Sequence, residues 1–217
     1  MELFTYYRSS ASYRVRIALN MKGLEAQHIA VNLLDSEQRS ESYGMLNPQK
    51  LIPALMTDDS QLLTQSLAIL EYLEERYPDV SPLLPKDILG RARVRSLAQS
   101  IACEISPLNN LRVLRYLVQD LQASEEQKLQ WYRHWIHIGF EAVEAMLQQR
   151  QTGQFCHGNS PGMADCCLVP QIYNAQRFDC DLERYPTIMR IGDACAALPA
   201  FADAHPAKQA DTPLEEQ

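Results

Sequence analysis

The chain has 217 residues, 46% of them hydrophobic and 22% charged, the make-up of an ordinary globular protein with room for one large or two modest domains. Lys+Arg 20 against Asp+Glu 27 leaves a net charge of −7, which argues against nucleic acid as the main partner. No apolar run reaches the roughly 18 residues of a membrane span, and Met1 leads into a strand pattern without a signal-peptide profile, so a cytoplasmic protein with no membrane partner is expected.

The first strand is read in Leu3-Phe4-Thr5-Tyr6-Tyr7. Arg8-Ser9-Ser10-Ala11-Ser12 follows and opens a helix from about Ser12 to Lys22. Val15, Ala18, Leu19 and Met21 form its apolar face, Lys22 serves as a last-turn cation and Gly23 is the terminating glycine. Two readings of the serines stand side by side. They are helix caps, or they gather hydroxyls and free N–H groups at one helix start to receive an anion. The helix dipole gives a nearby negative charge about 0.3–1 kcal/mol and a charge-assisted hydrogen bond about 1.5–3 kcal/mol. Together they could lower the pKa of a thiol held there from about 8.5 to near 7.

Gln27 to Val31 reads as a second strand with His28 on its surface, and Leu34 to Leu46 as a helix or a surface loop. Asn47 to Met56 carries Ile52-Pro53 directly ahead of an apolar strand. Pro53 cannot donate to a ladder, so it stands at a strand start as a trans proline or in a cis bond that leaves the neighbouring main chain free for a ligand. Ala54–Met56 and Leu62–Thr64 make a hairpin over the turn Asp58–Gln61. Gln65-Ser66 then leads a helix from Leu67 to Tyr77, with Leu67, Leu70 and Leu73 on one side. Ser66 is a cap or part of a second anion site. The order βαβ then ββα defines an α/β domain over residues 1–80. The proline-rich stretch Pro78 to Pro85 ends it, with 81–86 as linker.

From residue 87 to 217 only helical periodicity persists, so this part is expected to be an all-helical domain. Arg91 to Ile105 is one helix, kinked or ended by Pro107, and Leu108 to Leu121 is another. Ser124-Glu125-Glu126-Gln127 is a capping box for a long helix whose core face is read as Trp131, Trp135, Ile138, Ala142 and Met146. After a loop from Gly153 to Gly162, Met163 to Phe178 is a strongly apolar, central helix with Pro170 inside it. Asp165 lies in its first turn, and Arg177 at its end needs an acid or a ligand. Tyr185 to Leu198 is a last helix, and the tail from Pro199 reads as frayed. All six cysteines lie in the second half without metal spacing, as expected of buried thiols in a reducing compartment.

The motifs Arg8-Ser9-Ser10-Ala11-Ser12, Asn47-Pro48 through Ile52-Pro53-Ala54-Leu55, Gln65-Ser66-Leu67-Ala68-Ile69-Leu70-Glu71-Tyr72-Leu73, Met163-Ala164-Asp165 and Asn174-Ala175-Gln176-Arg177-Phe178 together resemble the zeta-class glutathione S-transferases. The resemblance runs nearly end to end, to Gln209-Ala210-Asp211-Thr212-Pro213. It implies a thioredoxin-like N-terminal domain, a helical C-terminal domain, a homodimer and glutathione as cofactor. Ser9 matches the family's glutathione-activating serine, with Ser10 a neighbouring donor. Pro53 matches the cis-proline, which assigns Ile52 to the cysteinyl main chain of glutathione. Gln65 and Ser66 match the pair that takes the γ-glutamyl carboxylate, and Gln49 joins the cofactor set. A small dicarboxylate is the implied substrate, with Arg8 and Arg177 as its cations and Asn110 and Arg112 bordering the site. The implied activity is glutathione-dependent cis–trans isomerisation of maleylacetoacetate in aromatic amino-acid catabolism. Maleylpyruvate in gentisate breakdown, or a broader glutathione transferase activity, is the alternative. Two positions depart from the pattern: Ala11 stands where many zeta enzymes have cysteine, and Gly162 where a threonine is common.

Overall fold

The computed structural model describes residues 1–216, so Gln217, the last residue of the expected helical domain, lies outside the described residues. The chain folds into two compact units. One comprises Met1–Leu83 together with the segment from Ala197 onward, and the other is Leu84–Ala196.

In the first unit β1 (Glu2–Thr5), α1 (Ser10–Met21) and β2 (Gln27–Ala30) form a βαβ unit. A short helix α2 (Glu41–Leu46) leads to β3 (Ala54–Met56), β4 (Leu62–Thr64) and α3 (Ser66–Arg76). The sheet order is β2-β1-β3-β4, parallel at β1–β2 and antiparallel at the other two pairings. Leu3 faces Leu55 across β1–β3, and both are fully buried, as are Val15, Ile17 and Ala18 of α1 and Ile69, Leu70 and Leu73 of α3, two helices that pack on each other. The α/β order is the one expected from the pattern, and the thioredoxin-like arrangement is the one that the resemblance implied. The helix start is two residues earlier than expected, because Ser9 rather than a later serine is the cap.

Lys22 does not act as a solvated last-turn cation. Its ammonium is buried, 2.9 Å from Glu74 Oε2, and donates to the Tyr77 carbonyl at 2.8 Å, while Glu74 also accepts the Leu83 N–H. The end of α1 is thereby tied to the end of α3. The closing segment is not frayed. Helix α9 (Pro199–Ala202) buries Phe201 against α1, Arg16 Nε donates to the Ala204 carbonyl at 3.1 Å, and Gln209 Nε2 donates to the carbonyls of Asp203 and His205. Its apolar residues are few, so periodicity alone could not distinguish a docked tail from a loose one.

The second unit is helical: α4 (Ile88–Gln99), α5 (Leu111–Gln119), α6 (Glu125–Leu147), α7 (Met163–Arg177) and α8 (Pro186–Ala196). A π-helical stretch, Ser100–Ile105, extends α4 toward Pro107. Ser124 and Gln127 form the expected capping box on α6. The face of α6 differs from the reading above. Tyr132, Ile136, Phe140, Val143 and Leu147 are buried, whereas Ile138 and Ala142 are exposed. Gly139 explains the rotation, because Ile105 packs where its side chain would be. Helix α7 packs on α4 and α8 with residues from Met163 to Leu168 buried. Of the six free cysteines only Cys103 is exposed.

Candidate active site

The turn between β1 and α1 positions the first group. Ser9 is the N-cap of α1: its Oγ accepts the Ser12 N–H at 3.2 Å and its own N–H donates to the Tyr6 carbonyl at 2.9 Å. A serine hydroxyl has one donor besides its acceptor lone pairs. An oxygen that accepts from the helix therefore still has its hydrogen to donate. No acidic residue lies in the first turn of α1, so nothing on the helix neutralises its positive end. Capping and anion binding are thus compatible here. Ser10 is the first residue of α1 and, like Ala11, is partly exposed.

The second group is the main chain ahead of β3. The Ile52–Pro53 bond is cis, as one of the two readings of Pro53 had it. Tyr43 Oη and Asn47 Nδ2 both donate to the Leu51 carbonyl, at 2.8 and 2.7 Å, and so anchor the approach to Ile52. The ladder begins only at Ala54. Among the described residues no hydrogen bond to the Ile52 main chain is formed.

The third group is the start of α3. Gln65 has φ +68°, in the left-handed region, and makes no side-chain cap. A non-glycine residue there is uncommon and costs of the order of 1 kcal/mol or more. Its Nε2 instead donates to Gln49 Oε1 at 3.0 Å, which brings two of the expected cofactor residues together. Ser66 is buried, and its Oγ accepts from Arg14 Nη1 at 3.2 Å. With no acid in the first turn, this 11-residue helix also offers an uncompensated N-terminus.

Arg8 sits on the same turn as Ser9, half-exposed, with its guanidinium 5.1 Å over the Tyr7 ring and 3.5 Å from Glu216 Oε1. Burial works against its charge, but the hydrogen bond to Tyr6 and the fields of Tyr6, Tyr7 and Glu216 outweigh this and raise its pKa.

In the helical unit Asn110 is the N-cap of α5, its Oδ1 accepting the Arg112 N–H at 3.0 Å, and both residues are exposed. Arg177 closes α7 and is exposed, its guanidinium 5.0 Å over the Phe178 ring. Asp165 is fully buried and secures the start of α7, its two oxygens accepting the N–H groups of Cys156 at 2.9 Å and Gly162 at 2.8 Å. The N–H of Gly162 is thus satisfied by Asp165, a bond that does not depend on the side chain at position 162.

A family model described as the glutathione S-transferase N-terminal domain matches residues 3–81. A relative from Pseudomonas aeruginosa, named maleylacetoacetate isomerase, is 50% identical over 98% of this chain and 99% of its own. The chain belongs to the glutathione S-transferase family. Its zeta-class character follows from a solved bacterial zeta-class enzyme, maleyl pyruvate isomerase in its holo form, which is 45% identical, covers 98% of this chain and 100% of its own, and superposes with a TM-score of 0.95. A maleylacetoacetate isomerase from Methylobacterium extorquens, solved with malonate and GSH bound, matches with the same TM-score of 0.95 at 39% identity, over 98% of this chain and 100% of its own.

Within this glutathione S-transferase, sequence reasoning missed Arg14 and Arg16. Both are almost wholly buried on α1. A signal existed: Tyr13, Val15, Ile17 and Leu19 place apolar residues all around the helix, which leaves the arginines between them no route to water.

Proposed function

We propose that this chain is a glutathione-dependent cis–trans isomerase that converts maleylacetoacetate to fumarylacetoacetate. The observation that carries this reading is the end-to-end match to the Pseudomonas aeruginosa relative of that name. The donor set fits glutathione: two helix starts without acids in their first turns for negative groups, and a cis-proline junction whose preceding main chain lies outside the ladder. When bound, glutathione would supply a sulfur whose addition turns the maleyl double bond into a single bond free to rotate, and whose departure then restores the double bond and returns the thiol.

The residues of the chain divide the work. Ser9 donates its hydroxyl to the sulfur and holds it ionised, with Ser10 beside it and the dipole of α1 adding to the effect. Ile52, ahead of Pro53, pairs its main chain with the cysteinyl residue. Ser66 and Gln65 receive the γ-glutamyl carboxylate at the start of α3, with Gln49 steadying Gln65. Arg8 and Arg177 take the carboxylates of the substrate, since a planar guanidinium binds a carboxylate through two parallel donors. Asn110 and Arg112 complete the proposed set of substrate-binding residues. We read the protein as a cytoplasmic homodimer, in line with its family.

The superposition on maleyl pyruvate isomerase supports a second reading, maleylpyruvate as substrate. Purified protein assayed with glutathione on both compounds separates them: a higher kcat/KM on maleylacetoacetate is expected, the reverse preference selects the second reading, and turnover of neither rejects both. Arg177→Ala is expected to cost about tenfold in kcat/KM on the dicarboxylate and less than about twofold on a neutral chlorinated nitroaromatic. Equal losses on the two substrates would remove Arg177 from carboxylate binding.

A further inference from the structure

The serine that the proposed reaction depends on stands on a turn that is clamped from both sides. Tyr7, between β1 and α1, has its N–H donating to Asp211 Oδ2 at 2.8 Å and its carbonyl accepting from Arg16 Nη2 at 2.9 Å. Arg16 is 1% exposed and Tyr7 2% exposed, so the bond from Arg16 is made out of water, while the one to Asp211 is part-buried. The same guanidinium donates to the Tyr6 carbonyl at 3.4 Å and to Thr5 Oγ1 at 3.1 Å. That Tyr6 carbonyl also accepts the N–H of Ser9 at 2.9 Å. A continuous path of hydrogen bonds therefore runs from Asp211 through the Tyr7 residue and Arg16 to Ser9.

Asp211 lies 204 positions after Tyr7 in the sequence. It belongs to the closing segment that docks on α1, where Arg16 Nε reaches the Ala204 carbonyl at 3.1 Å. A short link between a strand and a helix has several backbone states open to it, and fixing each residue costs about 1–2 kcal/mol in entropy. A hydroxyl that must point at a sulfur needs that choice made before the ligand arrives, because a displacement of the order of 1 Å is enough to lose a charge-assisted hydrogen bond. Asp211 and Arg16 make the choice by taking opposite polar groups of one residue. Each bond also polarises the peptides next to it and strengthens its neighbours.

We propose that Asp211 is a positioning residue for the Ser9 hydroxyl, acting through the Tyr7 N–H, so that the end of the chain is part of the machinery that prepares the sulfur. The inference rests on the reading of Ser9 given above. It concerns the acceptor oxygen and not the charge, so Asp211→Asn, whose Oδ1 can still accept the N–H, should act like the parent.

The test uses the full chain and four variants, Asp211→Ala, Asp211→Asn, Asp211→Glu and Ser9→Ala, with urea midpoints measured for each. Asp211→Ala is expected to lower kcat about fivefold and to weaken the ultraviolet thiolate band of bound glutathione, with KM for glutathione within about twofold of the parent. Asp211→Asn should restore kcat to within about twofold. A parental kcat and thiolate band in Asp211→Ala, or an Asn variant as impaired as the Ala variant, overturns the proposal. Should Asp211→Ala not fold, Asp211→Glu serves in its place, since it keeps the charge and displaces the acceptor: lowered kcat is expected, and parental kcat overturns the proposal. Ser9→Ala keeps the two levels apart. If it is impaired while Asp211→Ala is not, only the present inference falls; if Ser9→Ala is itself like the parent, the reading of Ser9 falls.

Discussion

Ser9→Ala is expected to lower kcat/KM on the dicarboxylate at least tenfold, and to move the acid limb of its pH profile upward by about one to two units. The size follows from the hydrogen bond removed. A hydroxyl donating to a thiolate stabilises it by about 1.5–3 kcal/mol, and each 1.36 kcal/mol is one pKa unit. Without that donor the thiol holds its proton to higher pH, so less of it is ionised at neutrality and the limb rises. Alanine also removes the cap that accepts the Ser12 N–H, which costs about 1 kcal/mol of helix stability. Ser9→Gly separates the two effects, since glycine at a cap position costs only a few tenths of a kcal/mol. It should fold as well as the parent and lose as much turnover as the alanine variant. Either variant with parental turnover and a parental pH profile would take Ser9 out of its role.

What the sequence made legible was whatever leaves a periodic or chemical mark close to its own position. The βαβ and ββα order, the hairpin at Asp58–Gln61, the capping box at Ser124 and the long apolar helix after Gly162 all declare themselves within a dozen residues. The helix starts at Ser9 and Ser66 were also recognisable from small hydroxyl residues ahead of an apolar run, although only Ser9 is a cap, Gln65 holding the cap position of α3. Tertiary effects were hidden. The face of α6 is set by the meeting of Gly139 and Ile105, residues far apart in the chain. Lys22 looks like a helix-end cation until Glu74 is seen beside it. Arg14 and Arg16 are polar letters on a helix with no exposed side, and the partners of Arg16, Tyr7 and Ala204, come from opposite ends of the sequence. The ordered tail belongs to the same class: Asp211 matters because of Tyr7, which no local pattern could announce.

Asp165→Ala is expected to destabilise the protein by about 3–5 kcal/mol, seen as a fall in the urea midpoint. Alanine leaves the buried N–H of Cys156 and the part-buried N–H of Gly162 without their acceptor, and a fully buried orphan costs about 1–3 kcal/mol before the vacated volume is counted. Burial raises the Asp165 carboxyl above its usual 3.8, against the opposing hydrogen bonds from Cys156 and Gly162. An acid whose folded pKa is raised binds its proton more tightly in the folded chain than in the unfolded one. The stability linked to that proton is therefore fully present below the ordinary value and is lost as pH rises through the folded one. Asp165→Asn keeps one acceptor and has no such proton, so its stability lacks this slope. The difference in urea midpoint, parent minus Asn variant, should consequently shrink as pH is raised from about 4 and then level off. A constant difference across that range would mean that the carboxyl titrates alike in both states, and an alanine variant as stable as the parent would mean that the two N–H groups find other acceptors.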